Sequence, residues 1–220
     1  LNPTDPTDID QDPDNDGATN IQEWNWNGGL TPSFPDVADS DGDLMEDGFE
    51  IFGGLNPMDG TDGDTDLDVD GATALEEWNA LPIPSDPGSP DTDLDTMLDG
   101  WEIHGGLNPT DPTDIDQDPD SDGATNIEEW NWNGGLTPSF PDIADSDTDT
   151  MQDGWEIANG LNPMDSADAT QDFDADGLDN AGEYAAGTNP NLDDTDGDGY
   201  LDGSDPNSLA QDTLQVTNVE

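Results

Sequence analysis

The sequence predicts a mostly irregular, calcium-stabilised tandem-repeat rod of eight units, each a loop followed by a short helix, with little strand. Three observations lead to this fold class. The composition is extremely acidic, an Asp triplet recurs about every 27 residues, and Trp, Gly and Pro residues stand at regular places along the chain.

The acidic composition sets the first constraint on folding. The chain has 220 residues, 57 of them acidic, with no Lys or Arg and a formal charge of −57. Apolar residues make up only 29%, so charge repulsion and a small core would by themselves predict disorder. Seven Trp, 25 Gly and 18 Pro at regular places favour order instead. The missing positive charge must come from outside the chain, and divalent cations are the obvious source.

The same composition excludes several classes of function. Nucleic-acid binding needs Lys and Arg to neutralise phosphates, and an anionic membrane surface would repel this chain. The sequence contains no run of 18 apolar residues that could insert into a bilayer, and no Cys for disulfides or thiolate metal sites. We therefore expect neither a nucleic-acid partner nor direct membrane insertion.

Two levels of internal repeat organise the chain. Residues 1–59 recur at 107–165 with 50 of 59 positions identical, and the steps between Asp triplets are 27, 27, 25, 27, 27, 27 and 22 residues. Units this small stack on their neighbours into elongated arrays. We predict four calcium-loop repeats in residues 1–106 and four more in 107–206. The tail, 207–220, is either a frayed end or a strand that pairs with a neighbouring subunit.

The first loop, DPDNDGATNIQE from position 12 to 23, has the spacing of a calcium loop. Acids at loop positions 1, 3 and 5 converge on one cation, and Gly at position 6 takes the sharp turn. The carbonyl of position 7 adds an oxygen, residue 9 contributes through water, and the acid at position 12 binds bidentately from a helix. Ligand sets made only of oxygen select a hard cation, and calcium suits a large all-protein cage better than magnesium.

The candidate ligands occupy equivalent positions in every unit, which an accidental Asp-rich sequence would not produce. In loops of a first type they are Asp12, Asp14, Asp16, Ala18, Asn20 and Glu23; Asp66, Asp68, Asp70, Ala72 and Glu77; Asp118, Asp120, Asp122, Ala124, Asn126 and Glu129; and Asp172, Asp174, Asp176, Leu178, Asn180 and Glu183. In loops of a second type, which alternate with the first, they are Asp39, Asp41, Asp43, Met45, Asp47 and Glu50; Asp91, Asp93, Asp95, Met97, Asp99 and Glu102; and Asp145, Asp147, Asp149, Met151, Asp153 and Glu156. The last loop contributes Asp194, Asp196, Asp198, Tyr200, Asp202 and Asp205.

At least eight calcium ions are therefore expected. Further acids precede several loops and either complete a second site or are simply solvated: Asp8, Asp10, Asp62, Asp64, Asp114 and Asp116. Three loops carry Leu44, Thr96 or Thr150 at position 6. Because Gly accepts positive φ without strain, these three loops are expected to adopt a different turn or to bind more weakly.

The segment DTDGDGYLDGSDP (194–206), preceded by GTNPNLD, resembles the thrombospondin type 3 calcium repeats of bacterial surface proteins. The Asp-x-Asp-x-Asp-Gly loops that enter one helix are also similar to dockerin and EF-hand loops. The resemblance covers residues 8–206, but no helix enters the loop and position 8 is usually polar, as in Thr19, Glu46 and Thr73. It implies an extracellular or cell-surface structural module that calcium orders.

The stretches between loops predict the packing. After each position-12 acid we expect one short helix that Gly stops, with the following Leu in a Schellman-type contact. His104 has no acid placed around it by the sequence and is interpreted as a surface residue. Small cores between neighbouring ions, or alternatively a carbohydrate platform, are predicted from Trp24, Trp26, Trp78, Trp101, Trp130, Trp132, Trp155, Phe34 and Phe49.

These features predict a structural protein, most simply a fibre or matrix subunit that joins copies of itself end to end. The alternatives are the stalk of a larger surface adhesin or secreted enzyme, and a dockerin-like or lectin-like binding module with glycan partners. No enzyme is expected. A catalytic carboxylate pair is normally one asymmetric constellation, whereas every acid pair here belongs to a repeated loop.

Overall fold

The computed structural model describes residues 8–210, and the chain there is built of seven short α-helices and irregular loops without a β-strand. The helices are α1 (Asn20–Asn25), α2 (Asp47–Gly53), α3 (Ala74–Trp78), α4 (Asp99–Gly105), α5 (Asn126–Asn131), α6 (Asp153–Asn159) and α7 (Asn180–Ala186). Short 3-10 turns occupy Asp62–Asp64, Asp114–Asp116, Asp168–Thr170 and Asp202–Ser204. The expectation of a mostly irregular, strand-poor fold is confirmed for these residues. The apolar residues of the predicted C-terminal strand lie beyond residue 210, outside the described residues.

The described residues divide into two compact units, with the boundary between Asp114 and Ile115. Each unit contains several copies of the loop-and-helix element. Every loop is closed by one backbone hydrogen bond, in which the N–H of position 9 donates to the carbonyl of the residue before position 1. In the first loop Asn20 donates to Gln11 at 2.8 Å, and in the last Asp202 donates to Asp193 at 3.1 Å. In seven loops position 9 is also the first residue of an α-helix. The last loop leads only into the 3-10 turn Asp202–Ser204, so the short helix predicted for the eighth unit is wrong.

Four helices end at a glycine, as the sequence predicts. Helices α2, α4, α6 and α7 stop at left-handed glycines, Gly54, Gly106, Gly160 and Gly187. The next residue, Thr188 after α7 and a Leu after the other three, donates its N–H to the carbonyl of the position-12 glutamate, as Leu55 does to Glu50 at 2.8 Å. This six-to-one bond is the Schellman arrangement. It joins the helix end to the same residue whose carboxylate faces the loop.

Helices α1 and α5 do not end at glycine, so the prediction of one helix stopped by the Gly pair is wrong there. Both helices stop before a Trp, and the chain bends through a left-handed Asn27 (φ 46°) or Asn133 (φ 50°) before reaching the glycines. Just before this bend the Trp26 indole N–H donates to the Asn56 side chain at 3.3 Å, an interaction between neighbouring repeats.

Small apolar clusters lie between the loops, one described in each unit. In the first unit Met45, Leu55 and Ala74 are buried, and Phe49 packs on Trp78 with ring centroids 4.9 Å apart. The second unit repeats this cluster with Met151, Leu161 and Ala169, beside Trp155 and Tyr184, whose centroids are 5.2 Å apart. The predicted aromatic packing is confirmed for Phe49, Trp78 and Trp155. Trp24 and Phe34 are instead about half exposed.

Candidate metal centres

Each acidic loop is held in its curved shape by its own first aspartate. In the loop that starts at Asp66, the side chain accepts the N–H of Val69 at 2.7 Å and the N–H of Gly71 at 3.2 Å. The residues at positions 4 and 6 both have positive φ, 67° and 106° in this loop, which points their N–H groups to the same carboxylate. The same pair of left-handed residues recurs in all eight loops.

The loops with Leu or Thr at position 6 use this same turn. Leu44, Thr96 and Thr150 have φ of 87°, 91° and 87°, close to the 94° of Gly17. The prediction of a different turn is therefore wrong, because the two hydrogen bonds to position 1 impose the left-handed conformation. Thr96, for example, donates its N–H to Asp91 at 3.1 Å. For a β-branched residue that conformation is strained by about 1–3 kcal/mol. The weaker binding expected of these loops remains a prediction.

The aspartate at position 5 fixes the second half of the loop by a hydrogen bond. One of its oxygens accepts the N–H of position 7 in every loop, at 2.7 Å from Ala18 to Asp16 and at 2.9 Å from Tyr200 to Asp198. The residues at position 7, whose carbonyls are predicted ligands, bury their side chains in most loops: Ala18, Met45, Ala72, Met97, Ala124 and Met151. Leu178 is half-buried and Tyr200 is exposed.

The position-12 glutamates are the most unusual feature of the molecule. All seven are completely buried: Glu23, Glu50, Glu77, Glu102, Glu129, Glu156 and Glu183. Within residues 8–210, no hydrogen-bond donor reaches either carboxylate oxygen of Glu50, Glu102, Glu156 or Glu183. An uncompensated buried carboxylate is strongly unfavourable, and the sequence has no Lys or Arg that could pair with it. Such a carboxylate can be accommodated only if it takes up a proton or pairs with a cation from solution.

Burial, reinforced by neighbouring carboxylates, raises the pKa of every one of these glutamates. The pKa rises to about 7 for Glu23 and Glu183 and to about 8 for Glu77. It rises to about 9 for Glu50, Glu102, Glu129 and Glu156. Aspartates at position 3 respond in the same way, and burial raises the pKa of Asp68, Asp93, Asp120 and Asp147 to about 6. At neutral pH the clusters are thus poorly stable as bare anions.

The carboxylates come together in groups suited to a metal ion. Asp12, Asp14 and Asp16 present oxygens that all lie within 4.8 Å of one another, and so do Asp39, Asp41 and Asp43, and Asp66, Asp68 and Asp70. Eleven further groups of the same kind occur in the described residues beyond these three, so the arrangement recurs along the chain.

Asp47, predicted as the position-9 ligand of its own loop, lies in the cluster of the preceding loop. Its carboxylate groups with Asp16 and Glu23, all three residues buried. Ser40 of its own loop holds it in place, with the backbone N–H at 2.7 Å and the hydroxyl at 2.6 Å. The equivalent residues of later repeats behave alike, since Asp99 raises the pKa of Glu77 and Asp153 raises that of Glu129.

Close backbone contact brings these neighbouring loops together. The N–H of Gly48, one residue after Asp47, donates to Asp16 at 3.0 Å, and Gly100 donates to Asp70 at 2.6 Å. A Cβ on Gly48 would lie 2.1 Å from the backbone oxygen of Asp16, so only glycine fits. The sequence carries an Asp-Gly pair in every second-type loop, but only the structure shows that the glycine is required by this backbone contact.

Two further groups of functional residues are not evident from the loop motif. Buried serines donate hydroxyls to first-type glutamates, as Ser139 does to Glu129 at 3.0 Å and Ser33 does to Glu23 at 3.3 Å. Acids that precede first-type loops also approach second-type clusters, and Asp62 groups with Asp43 and Glu50 within 4.8 Å. Asp64, Asp116 and Asp10, for which the sequence allows the same role, are exposed.

The position-9 asparagines have a structural contact within their own unit. The side-chain amide of Asn180 donates to the carbonyl of Asp168 at 2.9 Å, and Asn20 donates in the same way to the carbonyl of Asp8.

The last loop differs from the others because its position-12 acid is Asp205, which is only half-buried.

His104 is half-exposed, as expected, although its Nε2 lies 3.7 Å from a carboxylate oxygen of Glu76.

No protein-family model matches this chain, and a search among curated proteins finds no similar sequence. The resemblance to thrombospondin type 3 repeats accordingly stays a prediction. None of the helices in residues 8–210 has the length and apolar character that a membrane crossing requires. What the site offers chemically is a series of buried, all-oxygen, anionic clusters.

Proposed function

We propose that this chain is a calcium-binding structural protein of the cell surface or extracellular space, in which bound Ca²⁺ holds the acidic loops folded. The observation that supports the proposal best is the set of completely buried position-12 glutamates, each beside the aspartates of its loop, in a chain without Lys or Arg. A bound divalent cation supplies the positive charge and oxygen bonds that these side chains lack.

Electrostatic repulsion indicates why the fold would depend on metal. At the 4.8 Å that bounds the oxygens of each cluster, two like charges repel by about 3 kcal/mol at an effective dielectric constant of 20. Several such pairs in every loop would oppose folding of the bare chain. A ligand at 100 times its dissociation constant stabilises the folded state by about 2.7 kcal/mol for each independent site, so every filled site shifts the equilibrium toward the folded chain.

The chemistry of the donors favours calcium over other cations. The clusters contain carboxylate oxygens and no Cys or His, which disfavours zinc and other transition metals. Four or more carboxylates from one loop and its neighbour suit the large, flexible coordination shell of Ca²⁺, whereas Mg²⁺ retains several waters. Repetition of the same cluster also favours a structural role over catalysis.

The test is circular dichroism of the full chain in excess chelator, in calcium, and in magnesium at the same ionic strength. We expect a largely unstructured chain in chelator and recovery of helix and aromatic signals on addition of calcium, with at least eight ions bound by equilibrium dialysis. A native spectrum that survives chelation would overturn the proposal, and magnesium serves as the matched control for charge screening.

A further inference from the structure

The second-type loops that begin at Asp39, Asp91 and Asp145 are approached by an acid from the following repeat. Asp62, four residues before the loop at Asp66, has a carboxylate oxygen within 4.8 Å of oxygens of both Asp43 and Glu50. The corresponding residues of later repeats are Asp114 and Asp168. Both are buried, and they begin the 3-10 turns Asp114–Asp116 and Asp168–Thr170 as Asp62 begins Asp62–Asp64.

This cluster differs from a group of solvated acids, because some of its carboxylate oxygens are buried and accept no hydrogen bond from residues 8–210. Glu50 is completely buried, and no hydrogen-bond donor in residues 8–210 reaches either of its carboxylate oxygens. Asp62 Oδ1 is also buried without a donor in the same part of the chain. Both side chains thus bring unsatisfied anionic oxygens to one place, together with Asp43.

The backbone fixes the following repeat's acid in this position. Asp62 Oδ2 accepts the N–H of Asn56 at 2.7 Å, which orients the carboxylate while the other oxygen stays in the cluster. The same bond recurs from Asn108 to Asp114 at 3.1 Å and from Asn162 to Asp168 at 2.8 Å. Three occurrences in different repeats indicate a built feature of the fold.

We propose that Asp62, Asp114 and Asp168 each bind the cation of the preceding second-type loop, so that this ion is coordinated by two successive repeats. The inference rests on the proposed function and adds ligands that the loop motif does not contain. Each of these sites would be complete only when the following repeat, which supplies the last aspartate, is folded. Filling one site therefore stabilises the neighbouring repeat, and calcium binding along each unit is cooperative.

The chain offers a matched control within the same short turns. Asp64 and Asp116 lie two residues after Asp62 and Asp114, in the 3-10 turns Asp62–Asp64 and Asp114–Asp116, and both are exposed. The double variant D62N/D114N removes two carboxylates from clusters, whereas D64N/D116N removes the same charge from the surface. Asn keeps an oxygen that can still accept the backbone N–H, so the turn itself is retained.

Calcium binding to the full-length variants, measured by competition with a chromophoric chelator, tests the proposal. We expect two sites of D62N/D114N to weaken on the order of 10-fold or more, with D64N/D116N like the wild type. A D168N variant, measured in the same way, should lose affinity at one site and provides the test if the double variant does not fold in calcium.

The possible failures are distinguishable. If the wild type binds calcium and both double variants match it, the inter-repeat ligands are overturned while the proposed function stands. If the wild type binds no calcium, the proposed function fails and the inference fails with it. Circular dichroism in saturating calcium separates loss of a ligand from loss of a turn, since a purely structural aspartate would change folding without selectively weakening two sites.

Discussion

A single residue, Glu50, shows what each loop demands of its surroundings. Glu50 lies in the first turn of α2. Its carbonyl accepts the N–H of Leu55, which closes the end of the helix, and its carboxylate is buried beside Asp43. The grouping of the Asp triplets and the position-12 acids was predictable from the sequence, because alternate side chains of a tight loop converge. The complete burial of Glu50 and the approach of Asp62 to it were not, since both depend on contacts made only in the folded chain.

We expect Glu50→Gln to weaken calcium binding at one site by roughly 10-fold or more, because it removes a charged ligand and leaves the shape unchanged. The control is Glu46→Gln at the position before α2, which removes the same charge from a residue that is only half-buried. Calorimetric titration of both variants makes the comparison. Equal affinities for E50Q, E46Q and the wild type would contradict a ligand role for Glu50.

Position 6 supplies a reciprocal pair of substitutions. Thr96→Gly relieves a positive φ of 91° and should stabilise the calcium-loaded protein by about 1 kcal/mol, after allowance for the greater entropy of unfolded Gly. Gly71→Thr places a β-branched residue at φ 106°, where its Cβ meets nothing within 4 Å, and should cost a similar amount through strain alone. Denaturant unfolding in calcium measures both, and effects of the same sign would be inconsistent with this reasoning.

At the scale of elements, each second-type helix begins against the backbone of the preceding loop. In α6 the N–H of Gly154 donates to Asp122, and an added Cβ would meet backbone atoms of Ala124 and Asp122 at 2.5 and 2.7 Å. Short helices that follow the acidic loops were predictable from the loop spacing, and several of their ends from glycine, but their start at position 9 was not. The bends after α1 and α5 were not, because Asn27 and Asn133 give no periodic signal.

Gly154→Ala should therefore destabilise the calcium-loaded protein by about 2–4 kcal/mol, since backbone atoms cannot move aside as side chains do. Gly182 in α7 is the control, because a Cβ there meets side-chain atoms of Leu178 and Asp179, at 2.7 and 2.9 Å, and no backbone atom among its three nearest neighbours. Gly182→Ala should cost less than about 1 kcal/mol, since side chains can move aside and Ala favours helix over Gly. Thermal unfolding of the two variants in calcium would reveal the contrast, and similar losses in both would argue against close backbone packing.

At the scale of the whole molecule, the raised pKa values predict how the metal-free chain responds to pH. The pKa of Glu50 is about 9 when folded, against an ordinary value of 4.5, so folding takes up protons between these two values. Stability of the bare fold is therefore greatest below about pH 4.5 and falls as the pH rises toward 9.

Acidification of metal-free protein from about pH 8 to about pH 5 should accordingly restore part of the helical signal, while calcium affinity falls because the ion must displace protons. Circular dichroism of protein freed of metal by an exchange resin checks the first effect, and calcium titration at the two pH values checks the second. A helical signal that declines on acidification would contradict the prediction.

End-to-end association is the remaining expectation at this scale. We expect electron microscopy of the chain in millimolar calcium to show filaments that disappear when residues 207–220 are removed. Separate rods in both samples would contradict the fibre subunit and favour the stalk of a larger surface protein. The same chain imaged in excess chelator is the control for calcium dependence.

The glycines that follow the position-9 aspartates also determine which lengths of this chain can fold. Gly48, Gly100, Gly154 and Gly203 occupy loop position 10, where the first-type loops instead carry Ile21, Leu75, Ile127 and Ala181. A first-type loop placed directly after another first-type loop would bring Ile21, Leu75 or Ile127, rather than glycine, to the position that meets the preceding backbone. Gain or loss of two adjacent loops keeps the alternation, so we expect the number of loops to change in pairs.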